Sequence, residues 1–210
     1  MSSRFFITGT DTGIGKTVAS ALLCAALEAI YWKPIQTGAR NGTDTQTVRH
    51  LAELASHQTL PEVYRFAPPV SPHLAAQRAG VRIDLQRIRL PRRPLSTNLV
   101  VEGAGGVLVP INSTELMVDL MKRLSLPVLL VSRTALGTIN HTLLSLAALR
   151  RAKLSIRGVI LVGRRNTDNR KAIEHYGDVQ VVGWIPILRV LGRQALLRVF
   201  NAEFDAKAVT

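Results

Sequence analysis

The stretch Gly9-Thr10-Asp11-Thr12-Gly13-Ile14-Gly15-Lys16-Thr17 decides how the chain is read. It follows Phe5-Phe6-Ile7, an apolar run of the length of a short buried strand. It runs into Val18 to Leu27, an Ala- and Leu-rich segment that reads as a buried helix. Strand, glycine loop, Gly-Lys-Thr and helix, in that order, are the context of a phosphate-binding loop. N–H groups of such a loop, with the free N–H groups that open the helix, bind phosphate oxygens. Lys16 would meet the terminal phosphates as a point charge, and the Thr17 hydroxyl would sit on Mg²⁺. The spacing is one residue longer than the strict pattern, and Thr10 stands where glycine is standard. The bland alternative is a tight strand-to-helix turn with a solvated lysine.

Outward from the loop, apolar runs alternate with helical patterns. Ile30 to Ile35 reads as a second strand, with Pro34 near its end because proline cannot donate to a ladder. Gln36 to Gly42 reads as a loop, and Thr43 with Gln46 forms a capping box that opens a helix through Leu54. Pro68 to His73 is a rigid connector into a short helix, Leu74 to Ala79. Arg82 to Pro94 is basic and proline-flanked and gives no clear element. Further strands are expected at Asn98–Val101, Leu126–Ser132, Gly158–Val162 and Val179–Ile185. Helices are expected at Gly137–Ala152 and Asp168–Tyr176, with a weaker pattern from Gly192 to Phe200. Continuous apolar strands between helices predict an α/β fold: a mostly parallel sheet with helices on both faces. Residues 1–210 read as one domain, and ligands are expected beyond the carboxyl ends of the strands.

Composition limits the function classes. No apolar run approaches the roughly 20 residues that span a bilayer, so no membrane role is expected. The start of the chain lacks a signal-peptide layout, and Cys24 is the only cysteine, within an apolar helix. Both fit a reducing cytoplasm. The five histidines show no metal-ligand spacing, which argues against zinc. The formal charge of +13 raises nucleic acid as a partner. The basic residues cluster at Arg82–Arg93 and Arg150–Lys171 without interleaved aromatics, so a solvated basic face is expected and nucleic acid is not.

Three strand ends carry polar residues that could do chemistry. The first delivers the phosphate loop. The second delivers Lys33, where an unpaired ammonium would be costly to bury, and Thr37 four residues on. Beside phosphates Lys33 would stabilise charge on transferring oxygens; the alternative is a lysine that snorkels to solvent. The third delivers Glu102 into Gly103-Ala104-Gly105-Gly106, where phosphate-loop proteins place an acidic residue for Mg²⁺. Capping of a turn is the competing role. Asp44 could be a further metal ligand or merely favour its helix start. The N–H groups at Gly137–His141 could take a carboxylate, or Thr138 could simply cap the helix.

With these motifs in order, the sequence resembles the dethiobiotin synthetases. The resemblance rests on Gly9 to Thr17 with its longer spacing, on Tyr31-Trp32-Lys33-Pro34-Ile35-Gln36-Thr37-Gly38, and on Gly42-Thr43-Asp44-Thr45. It continues through Ser71-Pro72-His73, Val101 to Gly106 and Leu136-Gly137-Thr138-Ile139-Asn140-His141, covering the chain to about Val162. It implies ATP-dependent carboxylation and ring closure of 7,8-diaminopelargonate with CO₂, through a carbamate and a carbamic-phosphoric anhydride. It implies Mg²⁺ as cofactor, ATP as co-substrate and a homodimer with a shared active site.

The resemblance assigns residues as well. Gly13, Ile14, Gly15, Lys16, Thr17 and Val18 would hold the triphosphate. Thr17, Asp44 and Glu102 would organise Mg²⁺. Lys33 would be the catalytic lysine, assisted by Lys16. Thr12, Lys33 and Thr37 would contact the diamine and carbamate. Gly137, Thr138, Ile139 and Asn140 would receive the carboxylate tail across the dimer. Gly103, Ala104, Gly105, Val162, Gly163 and Pro186 complete the nucleotide side. Two departures stand out: Val162-Gly163 replaces an Asn-Asp pair that reads adenine, and Gly13 replaces a common acidic residue. A partitioning-type ATPase switch, acting on DNA or membrane, shares the expected fold. It would carry a lysine near the first glycine, where Thr10 and Asp11 stand.

Overall fold

The computed structural model describes residues 2–90 and 97–209. The strands and helices follow in chain order: β1 (Arg4–Gly9), α1 (Lys16–Leu27), β2 (Ile30–Trp32), β3 (Ile35–Gln36), α2 (Asp44–Ala52), β4 (Thr59–Leu60), β5 (Tyr64–Arg65), α3 (Pro72–Arg78), β6 (Leu99–Gly106), α4 (Met117–Leu124), β7 (Val128–Arg133), α5 (Thr138–Arg151), β8 (Ile156–Val162), α6 (Thr167–Gly177), β9 (Val181–Ile185), α7 (Arg193–Glu203) and α8 (Ala206–Val209). Seven strands form one sheet in the order β4-β2-β6-β1-β7-β8-β9, every adjacent pair parallel. The fold class is the expected one, an α/β sheet covered on both faces.

Alternation along the strands sorts side chains into two layers. Phe6, Trp32, Leu99 and Val101 pack on one face with α4 residues such as Met117 and Leu120 and with Leu146 of α5. Phe5, Ile7, Tyr31, Val100 and Leu129 pack on the other with Leu22 and Leu23 of α1, Val48 of α2 and Leu196 of α7. Each fully buried leucine contributes roughly 1.5–3 kcal/mol relative to exposure. Tyr31 and Val100 are register partners on the α1 face. Lys33 and Glu102, each two residues further along, continue toward that same side at the carboxyl end of the sheet.

The expected second strand is interrupted. Pro34 gives no N–H to a ladder, and its carbonyl accepts from both Val63 N and Tyr64 N. Beyond it β3 leaves the main sheet and pairs with β5 in a separate parallel pair. Lys33 therefore sits at the switch between two sheets. The capping box at α2 is present as expected: Gln46 N donates to Thr43 Oγ1 at 3.1 Å and Thr43 N donates to Gln46 Oε1 at 2.9 Å. Helix α5 differs from expectation: Gly137 takes the cap position at φ 89°, and Thr138 turns its hydroxyl inward to Ser132 and the Arg133 carbonyl.

The basic stretch from Arg150 is solvated as expected, with Arg150, Arg157, Arg165 and Lys171 exposed, yet several of its arginines also reach main-chain carbonyls. Arg150 donates to the Asp178 carbonyl at 2.8 Å, beyond the end of α6. Arg157 reaches the Lys207 and Ala208 carbonyls of α8. Arg170 donates to Val181 O at 3.3 Å, and Arg193 to Ala52 O at 2.7 Å, the last residue of α2. Residues 91–94 of the proline-flanked basic stretch lie outside the described residues.

Candidate active site

The phosphate-loop residues and three strand ends enclose a cavity of about 360 Å³. Thr12, Gly13, Gly15, Lys16, Thr17 and Val18 line one side, with Lys33, Thr37, Asp44, Glu102, Ala104 and Gly105 around the rest. Gly13 and Gly15 take left-handed backbone at φ 69° and 99°, which glycine adopts without a Cβ penalty. Ile14 lies between them but points inward, and a Cβ on Gly9 would come within 2.5 Å of its side chain. The loop is thus anchored by an apolar side chain below and leaves its backbone toward the cavity. Lys16 is buried and donates to Asp11 O at 2.7 Å. Burial pulls its pKa down to about 8, against the opposing pull of Glu102.

The floor of the cavity is a buried ion cluster. Lys33 Nζ is paired with Asp44 Oδ2 and lies 2.9 Å from Glu102 Oε1. Burial pushes the Lys33 pKa down, but Glu102 and Asp44 outweigh it, so the ammonium is held above its usual range. Glu102 is 1% exposed and accepts from four groups. Oε1 takes Lys33 and the Thr17 hydroxyl at 3.1 Å, while Oε2 takes Ser20 at 2.8 Å and Tyr31 at 3.0 Å. Asp44 is positioned through its own backbone, whose N–H donates to Gln36 Oε1 at 3.0 Å. The solvent-snorkelling alternative for Lys33 fails on these contacts, because its ammonium is enclosed between carboxylates.

Other expected residues fall elsewhere. Gly103 backs the site from the opposite layer, where a Cβ would meet Phe6 at 2.9 Å. Val162 packs beside the loop, since a Cβ on Gly15 would come within 2.9 Å of its side chain. Gly163 has its N–H on Ile185 O and its carbonyl on Trp184 Nε1 at 2.9 Å. Pro186 is half-buried just after β9. Gly137, Ile139 and Asn140 lie at the start of α5, outside the cavity, behind a fully exposed Leu136. Sequence reading missed Ser20, Tyr31, Gln36 and Arg133. Ser20 is one helical turn after Thr17 and Tyr31 is two strand positions before Lys33, so both periodicities carried a signal. Arg133 Nη2 lies 3.6 Å from Asp11 Oδ2, tying β7 to the phosphate loop.

The donor set fits a hard divalent cation. Thr17, Asp44 and Glu102 offer hydroxyl and carboxylate oxygens around one point, and Lys33 already marks it as a place for positive charge.

Fold and loop together define a P-loop protein, built to hold a nucleoside triphosphate at the mouth of a parallel sheet. A family model described as an AAA domain matches residues 3–195. An ATP-dependent dethiobiotin synthetase of Nitrobacter hamburgensis is 49% identical over 97% of this chain and 95% of its own length. That of Agrobacterium fabrum is 48% identical over 98% of this chain and 96% of its own. The chain belongs to the ATP-dependent dethiobiotin synthetase family. Among solved structures, a ParA family ATPase from Chlorobium tepidum TLS aligns with a TM-score of 0.56 at 14% identity, covering 96% of this chain and 93% of that one. The MinC:MinD cell division complex of Aquifex aeolicus aligns at 0.54 and 15% identity, covering 94% of this chain and 86% of that one. At such identities the likeness is one of fold.

Proposed function

We propose that the chain carboxylates 7,8-diaminopelargonate with CO₂ and closes the product to dethiobiotin at the expense of ATP. The observation that carries the reading is the placement of Lys33, held between Asp44 and Glu102 on the floor of the cavity that the phosphate loop opens. One amine of the diamine adds to CO₂ and loses a proton, giving a carbamate. A carbamate oxygen attacks the γ-phosphorus, the bond to the β-phosphate oxygen breaks, and ADP leaves. The second amine attacks the carbamoyl carbon, phosphate departs, a proton is lost, and the five-membered urea is complete.

The chain's own residues supply position and charge, which phosphoryl transfer needs more than covalent help. Backbone N–H groups from Gly13 to Val18 hold the phosphates. Lys16 meets the transferring group, and Lys33 faces the oxygens on which negative charge grows. Thr17, Asp44 and Glu102 would hold Mg²⁺, which neutralises phosphate charge when bound. Thr12 and Thr37 both line the cavity, where they would contact the diamine and carbamate. A second copy of the chain completes the site: the helix start Gly137–Asn140 presents N–H groups to the substrate's carboxylate from the neighbouring subunit. Ala104, Gly105, Val162, Gly163 and Pro186 flank the nucleotide.

The test is phosphate release from ATP with each substrate left out in turn. Release is expected only with both the diamine and bicarbonate. Turnover stimulated by DNA and indifferent to the diamine would instead support a partitioning-type switch and end the synthetase reading.

A further inference from the structure

Glu102 is bonded on both oxygens, but only one of them belongs to the cavity. Lys33 and Thr17 converge on Oε1. The terminal torsion of a glutamate is soft, so two donors on a single oxygen leave the carboxylate plane free to swing. Oε2 is taken by the hydroxyls of Ser20 and Tyr31, both fully buried and neither lining the cavity. They come from different elements, α1 and β2, and reach Oε2 from separate directions in sequence and fold. A phenylalanine at 31 would fill the same apolar layer among Leu22, Leu23 and Val100. The hydroxyl is what the packing does not require.

We infer that Tyr31 and Ser20 are positioning residues, a clamp on Oε2 that fixes the plane of Glu102 and presents Oε1 to Lys33 and to the cation. The inference rests on the reading of Glu102 as a cation ligand. It assigns no contact between either hydroxyl and substrate. Their effect passes through Glu102, and it concerns cation affinity and the rate of transfer rather than recognition of the diamine.

The experiment compares Tyr31→Phe, Ser20→Ala and Glu102→Gln with the unmodified chain. Mn²⁺ binding in the presence of ADP is followed by the loss of the free-ion electron paramagnetic resonance signal, and turnover is measured at saturating Mg²⁺. Either hydroxyl variant is expected to bind Mn²⁺ roughly tenfold more weakly and to lose roughly tenfold in kcat, with KM for the diamine unchanged. Glu102→Gln is expected to lose more of both. Normal Mn²⁺ affinity and kcat in the hydroxyl variants, with only a lower urea midpoint, would make the clamp purely structural and overturn the inference while leaving Glu102 in place. Normal Mn²⁺ affinity in Glu102→Gln would remove the cation reading itself, and the clamp with it. Ser20→Ala carries the same expectation should Tyr31→Phe fail to fold.

Discussion

On the α1 face of the sheet, two lysines are buried and answered by carboxylates: Lys33 by Asp44 and Glu102, Lys16 by their field and the Asp11 carbonyl. Around the far edge and the helix ends, arginines lie nearer solvent and are answered by main-chain carbonyls instead: Arg150 at the end of α6, Arg193 at the end of α2, Arg157 on α8. The lysine is a compact charge whose pKa its surroundings can move, down for Lys16 and up for Lys33. The arginine is a planar fork that stays charged and satisfies the orphan carbonyls at helix C-termini, where the dipole also favours a cation. Among the described residues, part of the basic excess therefore joins elements of the fold, whereas Lys16 and Lys33 are turned into the cavity.

That contrast can be broken in order of expected effect. Lys33→Ala should lower kcat by roughly 10³-fold while ADP affinity stays within about threefold, read from steady-state kinetics and calorimetry. Turnover near that of the unmodified chain would take Lys33 out of the reaction. Arg193→Ala should lower unfolding free energy by about 1–2 kcal/mol in urea with kcat unchanged. A matching fall in kcat would show that the arginine set is coupled to the site after all.

The smallest effect concerns Lys16. Its folded pKa of about 8 lies below the ordinary 10.5. Between those values the unfolded chain binds more protons than the folded one, so this group's contribution to stability rises with pH there. It is least favourable below pH 8, where the folded chain carries a poorly solvated ammonium. Phosphates beside Lys16 would favour its charged form, so ADP binding at pH 8.5 should take up a fraction of a proton. Calorimetry in two buffers of different ionisation enthalpy measures it, and no uptake would place the ammonium away from the phosphates.

Much of this was readable in the sequence because it is local. The phosphate loop, the Thr43–Gln46 box and five apolar strands each declare themselves within a few residues. Helix α4 did not, since it is only eight residues long and its start is held by the Asp119 carboxylate on Leu116 N, without a Ser or Thr cap. The break after Trp32 was hidden because its cause is distant: Pro34 is claimed by residues 63 and 64. Of the site, Lys33, Asp44 and Glu102 stood out as charges in apolar or glycine-rich surroundings. Tyr31 and Ser20 did not, because each is an ordinary residue for its element. Only the meeting of β2, α1 and β6 gives them a common partner.

The alternation that puts Tyr31, Lys33, Val100 and Glu102 on one side has a consequence for how the sheet finds its alignment. Where one face of a sheet is wet, a slip of one position is punished at every residue. Here both faces are apolar, so a slipped β2 would still bury Ile30, Tyr31 and Trp32 in oil-like surroundings. What a slip could not survive is Lys33 turned toward the opposite layer, away from its two carboxylates. The buried ion cluster thus also favours one alignment of the strands over a slipped one.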